Sequence, residues 1–266
     1  GWPVLNCGGG NMGATSPATF AGSLVTQNAE VLGTFVLARI INPNCPLIYG
    51  SFVLPMDMRI AAISSGGPEC SLIQVATAQI ARYYHVPSWI FAPMTDSKVL
   101  DEQAGYEKGM QWLTTSISGT NAILGAGHLE NEMLMSYEQL AIDDELIGWI
   151  KHFMRGITIN KETLALDLIH EVGPVPGHYL TTKMTKEWWK KEQFLTKVSD
   201  RHPYKVWSEL GSKDVVTKAK ERVEAIFRKI EPAPVLPDDV CKEMDKIIAD
   251  AEKYEMARQG PPGPGA

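Results

Sequence analysis

The chain has 266 residues, with 25 Lys and Arg against 31 Asp and Glu, 44% hydrophobic and 21% charged residues, and a formal net charge of −6. This is the composition of a globular protein, and its acidic balance excludes the clustered basic charge that non-specific nucleic-acid binding needs. No apolar run approaches the roughly 20 residues of a membrane span, the start lacks a signal-peptide pattern, and four scattered cysteines without a CxxC argue for a reducing cytoplasm and against a disulfide framework or zinc ribbon.

The first apolar run, at 3–7, enters a loop in which Gly8, Gly10 and Gly13 satisfy GxGxxG. A dinucleotide site also needs an acid at the end of the second strand. The second run, at 46–52, ends without one, so the plain reading is a close-packed βα loop. Between them Ser16 and Pro17 predict a helix start, and Leu24, Val31 and Phe35 a buried face that also carries Asn28. After the second run, Gly67, Pro68 and Glu69 start a helix with Ile73, Ala76, Ile80 and Tyr83 on its apolar face. The third run, at 87–92, leads into Asp96, Ser97 and Lys98, and Asp101 is placed to cap the helix that follows. The fourth, at 120–126, leads to His128 and Glu130. Ser136 and Gln139 then have capping-box spacing before a helix carrying Leu140, Ile147, Ile150 and Met154, with Asp143 among them.

Short continuous apolar runs read as strands buried on both faces, hence parallel, and four βα units predict an α/β fold with right-handed crossovers. Beyond about residue 156 the strand signal fades into helical segments, including a Lys- and Trp-rich stretch (183–197) that reads as a solvated helix face. Residues 259–266 have the composition of a flexible tail. Four units are too few for a (β/α)8 barrel, which needs eight strands and roughly 250 residues. The alternatives are a small open α/β domain or half of a barrel completed elsewhere.

Ionisable groups following a strand's C-terminal end are where such folds carry chemistry. That singles out Asp96, Lys98 and Tyr106 after the third run, and His128 and Glu130 after the fourth. Each also has a plain reading, as cap, surface ion pair or hydrogen-bonding histidine. A desolvated Lys98 would suit Schiff-base chemistry. The histidines are dispersed and no HExxH occurs, so no metal is expected. Asn28 and Asp143 read as structural hydrogen-bonding groups. Tyr49, Phe52, Trp89 and Phe91 are core aromatics by default, although rings at strand ends can cage a quaternary ammonium, each contributing ~0.5–2 kcal/mol.

The series Gln27-Asn28-Ala29-Glu30, Gly67-Pro68-Glu69, Asp96-Ser97-Lys98, Asp101-Glu102-Gln103-Ala104-Gly105-Tyr106-Glu107, Gly119-Thr120-Asn121 and Ser136-Tyr137-Glu138-Gln139-Leu140 resembles the trimethylamine methyltransferase family, and Asp200-Arg201 and Gly211-Ser212-Lys213-Asp214 extend the likeness. The resemblance implies a cytoplasmic (β/α)8 TIM-barrel enzyme that moves a methyl group from a methylated amine to the cobalt of a partner corrinoid protein. The cobalamin belongs to the partner and none is bound by the chain itself. Family chains are nearly twice as long. The resemblance therefore places residues 1–156 on the C-terminal half of a barrel and 157–258 on a helical extension, the rest of the barrel coming from a missing N-terminal half or a second copy.

Where the archaeal trimethylamine enzymes carry pyrrolysine, this chain has Met94, which places it in the branch acting on quaternary amines such as glycine betaine. Where a glycine-betaine enzyme is expected to carry His in its QAGHE segment, this chain has Tyr106. The residues assigned to catalysis are then Asp96, Tyr106 and His128, and those assigned to substrate binding are Tyr49, Phe52, Phe91, Met94, Lys98 and Glu130. Cys7 and Asn11, Ser51 and Phe52, Met94 and Asp96, and Gly127 and His128 are expected to line one cleft. The competing reading is a non-catalytic half-barrel subunit.

Overall fold

The computed structural model describes residues 2–230 and 236–259. Its elements run β1 (Val4–Gly8), β2 (Asn11–Met12), α1 (Phe20–Ile41), β3 (Leu47–Ser51), β4 (Leu54–Asp57), β5 (Ala62–Ile63), α2 (Pro68–Tyr83), β6 (Ser88–Phe91), α3 (Glu102–Ile117), β7 (Ala122–Leu124), β8 (His128–Leu129), β9 (Leu134–Met135) and α4 (Tyr137–Met154). The extension adds α5 (Lys161–Leu164), α6 (Leu166–Val172), α7 (Lys183–Glu192), α8 (Tyr204–Glu209), α9 (Val215–Phe227) and α10 (Asp238–Gln259). Residues 260–266, nearly all of the expected tail, lie outside the described residues.

The four runs form one sheet in the order β1-β3-β6-β7, and every pairing is parallel. Each strand adds to the same edge, so right-handed connections keep the helices on one face. Accordingly α1 packs on β1, α2 on β3 and β6, and the helices run side by side from α1 to α4. The sheet is open. It ends at β1 and β7 among the described residues.

Alternation along the strands sets what faces the helices. Leu47 and Tyr49 pack with Val31 and Phe35 of α1, Asn6 donates to the Val31 carbonyl, and Ser51 bonds Gln27. The opposite face carries Leu5, Cys7, Ile48, Gly50, Trp89, Phe91 and Leu124. The Trp89 indole lies flat over Gly50, where a Cβ would sit 2.2 Å from it, and donates to the Asn6 carbonyl at 3.2 Å. Any side chain at position 50 would displace that indole. Leu5 is 48% exposed and Leu124 41% exposed, so this face is apolar and partly uncovered.

Gly67, Asp101 and Ser136 cap α2, α3 and α4 as expected. The cap of α1 is Thr19 instead of Ser16, whose hydroxyl is engaged with Ser23. Contrary to expectation, α1 is long and apolar enough, by length and composition, to cross a bilayer. Its polar residues are nevertheless held by the fold: Asn28 bonds the Tyr49 and Tyr84 hydroxyls, and Glu30 accepts from the Gly9 N–H. Two expected faces also shift. Tyr83 is exposed, and α4 buries Gln139, Ala141, Asp143 and Glu145 in place of Leu140 and Met154.

The chain divides into one compact unit reaching to Val223 and another from Glu224 on. Within the first, Glu145 of α4 anchors the extension by accepting the N–H groups of Lys197 (2.5 Å), Val198 (2.7 Å) and Ser199 (2.9 Å). Burial pushes the Glu145 carboxyl up, but these hydrogen bonds outweigh it and leave its pKa below the ordinary 4.5. A depressed carboxylate stabilises the fold above its ordinary value and loses that contribution as pH falls below it. Glu145→Ala leaves one buried N–H group, that of Val198, and two partly buried ones without an acceptor and is expected to cost about 2 kcal/mol or more, read by urea unfolding at neutral pH. The deficit should narrow in acid.

Candidate active site

The residues at the C-terminal ends of β3, β6 and β7 meet. Phe52, Phe91 and His128 form a row. Phe52 meets Phe91 edge-on, with ring centroids 5.6 Å apart, and Phe91 stacks on His128 at 5.9 Å and 20°. Met94, 2% exposed, packs beneath with Leu54 and Cys70, and Phe52 and Phe91 border the same cluster. The Cys70 thiol is pushed well above its ordinary pKa, first by burial and then by the charges of Asp96, Glu132 and Glu69. It is therefore no nucleophile at neutral pH.

The loop carrying Met94 is read by the inner face of α3. Gln111 accepts the Met94 N–H at 2.9 Å and donates to the carbonyls of Met94 and Ser65 at 3.0 and 2.8 Å. Glu107 accepts from the Thr95 hydroxyl and from the Asp96 N–H at 2.5 and 2.9 Å. Asp96 in turn accepts from the Ser64 hydroxyl (2.9 Å), the Ser65 N–H (2.8 Å) and the Gly66 N–H (3.2 Å). Both of its oxygens are thus occupied in fixing the loop ahead of α2.

His128 begins the short hairpin of β8 and β9. At its turn Glu130, Asn131 and Glu132 all adopt positive φ, at 47°, 50° and 74°. For non-glycine residues such backbone costs of order 1–3 kcal/mol each and persists only where the surroundings impose it. Here the imposing bonds are explicit. The N–H groups of Glu130 and Asn131 donate to the Ser97 and Thr95 carbonyls at 2.8 and 2.9 Å, and the Asn131 side chain accepts the Ser65 N–H at 3.0 Å. Two buried atoms on this hairpin have no hydrogen-bond partner among the described residues, His128 Nδ1 and Glu132 Oε1.

The structure thus brings Phe52, Phe91, Met94, Asp96, His128 and Glu130 to one end of the sheet. It places the other candidates elsewhere. Tyr49 is fully buried between sheet and helices, its hydroxyl bonded to Asn28 at 3.0 Å and its pKa pushed up to about 12 by burial. It cannot touch a ligand at the strand ends. Ser51 likewise faces α1. Tyr106, 65% exposed, lies on the outer side of α3, opposite Glu107 and Gln111. Lys98 is exposed, its ammonium on the Asp96 carbonyl at 2.7 Å, which is not the desolvated amine of Schiff-base chemistry. Cys7 shares the sheet face of Phe91 but lies two strands away, and Asn11 is paired in β2 beside β4. No group of three metal-ligating side chains occurs among the described residues. A broad groove of about 840 Å³ between α5–α6 and α7 contains none of the strand-end residues.

Asp143, read from sequence as a structural hydrogen-bonding group, is one, but reasoning from sequence missed Gln111, the Lys108 that pairs with Asp143, and Glu132. For the first two, polar residues at the i, i+4 spacing of a buried helix face were the available signal. For Glu132 there was none, because its placement depends on the turn.

A family model described as trimethylamine methyltransferase (MTTB) matches residues 1–256. A glycine betaine methyltransferase from Desulfitobacterium hafniense (strain Y51) is 40% identical over 91% of this chain and 50% of its own length. The trimethylamine methyltransferase MttB of Methanosarcina barkeri (strain Fusaro / DSM 804) is 39% identical over 91% of this chain and 48% of its own. A second MttB, from Desulfitobacterium hafniense (strain DSM 10664 / DCB-2), is 36% identical over 97% and 52%. The chain spans about half the length of the curated relatives it matches.

Proposed function

The chain belongs to the trimethylamine methyltransferase family, and from that membership we propose that it serves to move a methyl group from a quaternary methylated amine to the cobalt of a corrinoid protein. The observation that carries the amine half of this reading is the row of Phe52, Phe91 and His128 above the buried Met94. Aromatic faces attract a methylated ammonium by ~0.5–2 kcal/mol each. The Met94 thioether adds polarisable contact without a donor or a charge.

The corrinoid, carried by a partner protein, supplies the nucleophile. The residues of this chain hold and orient the ammonium so that one N–CH3 bond faces outward, and they exclude water from it. When that bond breaks, a quaternary ammonium departs as a neutral tertiary amine, so no proton has to be delivered. Asp96 then acts by holding the Met94 loop against the loop ahead of α2. His128, with an unpartnered Nδ1, is the donor available to the carboxylate of a betaine. The reading puts the reaction in the cytoplasm, which suits four free cysteines.

The fold reading that goes with this is a (β/α)8 barrel of which these strands are one half. Sequential parallel strands with helices in one layer are its repeating unit. The exposed Leu5 and Leu124, and the apolar outer side of α1 at the β1 edge with Leu37 and Ile41 exposed, are surfaces that further strands and helices would cover. The remainder comes from an N-terminal half or from a second copy. The same open face favours a second reading, a half-barrel subunit without activity of its own.

The test supplies Co(I) cobalamin to the protein in its native assembly and follows methylcobalamin absorbance with a panel of betaines and with trimethylamine. Turnover of quaternary amines and not of trimethylamine is expected. Turnover of trimethylamine alone would overturn the substrate class, and a folded protein inert toward the whole panel would favour the subunit reading.

A further inference from the structure

Among the described residues, Glu132 Oε1 is the only carboxylate oxygen that is both buried and without a hydrogen-bond partner. Glu132 also makes no ion pair among them. A buried carboxylate is ordinarily paired or bonded, because leaving water without compensation is costly. This one is held in place by backbone that is itself unfavourable, three successive left-handed residues pinned by the bonds of Glu130 and Asn131 to Ser97, Thr95 and Ser65.

Its position is defined from two sides. Asn131, the residue before it, donates to the carbonyl of Thr95, the residue after Met94. Glu132 also acts electrostatically on the Cys70 thiol, which packs directly with Met94 beneath Phe52 and Phe91. The same hairpin carries His128, stacked on Phe91. An acid with a buried, unpartnered oxygen is thus carried by the same hairpin that supplies His128 to the aromatic row.

We propose that Glu132 is the counter-ion of the substrate's ammonium, giving the site its preference for a cation over a neutral group of the same shape. The proposal rests on the methylated-amine reading above and adds to it a residue and a sign. The aromatic rings already draw a trimethylammonium by ~0.5–2 kcal/mol each over a neutral trimethyl-substituted carbon. A half-buried carboxylate adds a full charge of the opposite sign and supplies the larger share of the discrimination.

Protonation offers a direct reading. Burial raises the Glu132 carboxyl to about 7. The titratable group of another element that feels its charge is Cys70 on α2, which Asp96 and Glu69 also face, and His128 and Glu130 lie on its own hairpin. A bound cation favours the ionised acid, so binding at a pH below that value expels a proton. Choline is the suitable probe because its nitrogen has no proton to give, and 3,3-dimethylbutan-1-ol is its neutral isostere.

Calorimetry on the natively assembled protein near pH 6, in buffers of low and high ionisation enthalpy, measures affinity and proton release together. The wild type is expected to bind choline more tightly than the isostere and to release up to about one proton per site. Glu132→Gln is expected to weaken choline by about tenfold or more, to leave the isostere within about twofold, and to release no proton, with Glu132→Asp intermediate. Equal weakening of both ligands in Glu132→Gln, unchanged choline affinity, or continued proton release would each overturn the assignment. A wild type that binds neither probe would defeat the methylated-amine reading itself, and the Glu132 assignment with it.

Discussion

Lys108→Met is expected to destabilise the protein by about 3–5 kcal/mol, because it strands Asp143 as an uncompensated buried charge. Neither side chain of the pair has any exposed surface, and the ammonium lies 2.9 Å from the carboxylate. Burial pulls the Lys108 ammonium down from its ordinary pKa and Asp143 opposes that pull. The pair also ties two site loops. Lys108 donates to the carbonyl of Pro93, the residue before Met94, and Asp143 accepts the N–H of Gly127, the residue before His128, at 2.7 Å. A double variant, Lys108→Met with Asp143→Leu, removes both charges and should recover much of the loss. It should still fall about 1–3 kcal/mol short, since Gly127 keeps a buried N–H with no acceptor. Urea unfolding of the three proteins measures all of this. If Lys108→Met were as stable as the wild type, the pair would not be what holds the two loops.

Met94→Lys should abolish most affinity for a quaternary amine. Two unit charges about 6 Å apart at an effective dielectric near 20 repel by ~3 kcal/mol, on the order of a hundredfold in Kd. The position is 2% exposed, so the new ammonium cannot reach water without moving Phe52 or Phe91. Met94→Leu conserves volume and adds no charge, and should keep affinity within a few-fold and stability within about 1.5 kcal/mol. The comparison separates charge from packing. Betaine affinity unchanged in the lysine variant would place Met94 outside the site.

How far each part of this site could be read in the sequence varies from residue to residue. Phe52, Phe91, Met94 and His128 come together because each follows or ends an apolar run, and parallel strands in sequence order bring those ends side by side. Tyr49 was misread for a physical reason. A strand buried on both faces is apolar throughout, so its composition carries no parity, and only packing against Val31 and Phe35 decides which way Tyr49 points. Tyr106 was misread because a motif locates a residue along the chain and says nothing of which side of its helix is covered.

The strand runs, the cap residues Gly67, Asp101 and Ser136, the parallel order and the family membership were determined by sequence alone, because each depends on patterns within a few residues or on likeness along the whole chain. What only the tertiary structure decided are the partners of buried polar groups. Asp143 meets Lys108 and Gly127, Glu145 meets Lys197 to Ser199, and Glu132 keeps a buried oxygen without a partner on a turn tied to Thr95 and Ser65. These depend on contacts between segments far apart in the chain. A polar residue on an apolar face announces that it requires a partner, and the fold alone determines whether and where it has one.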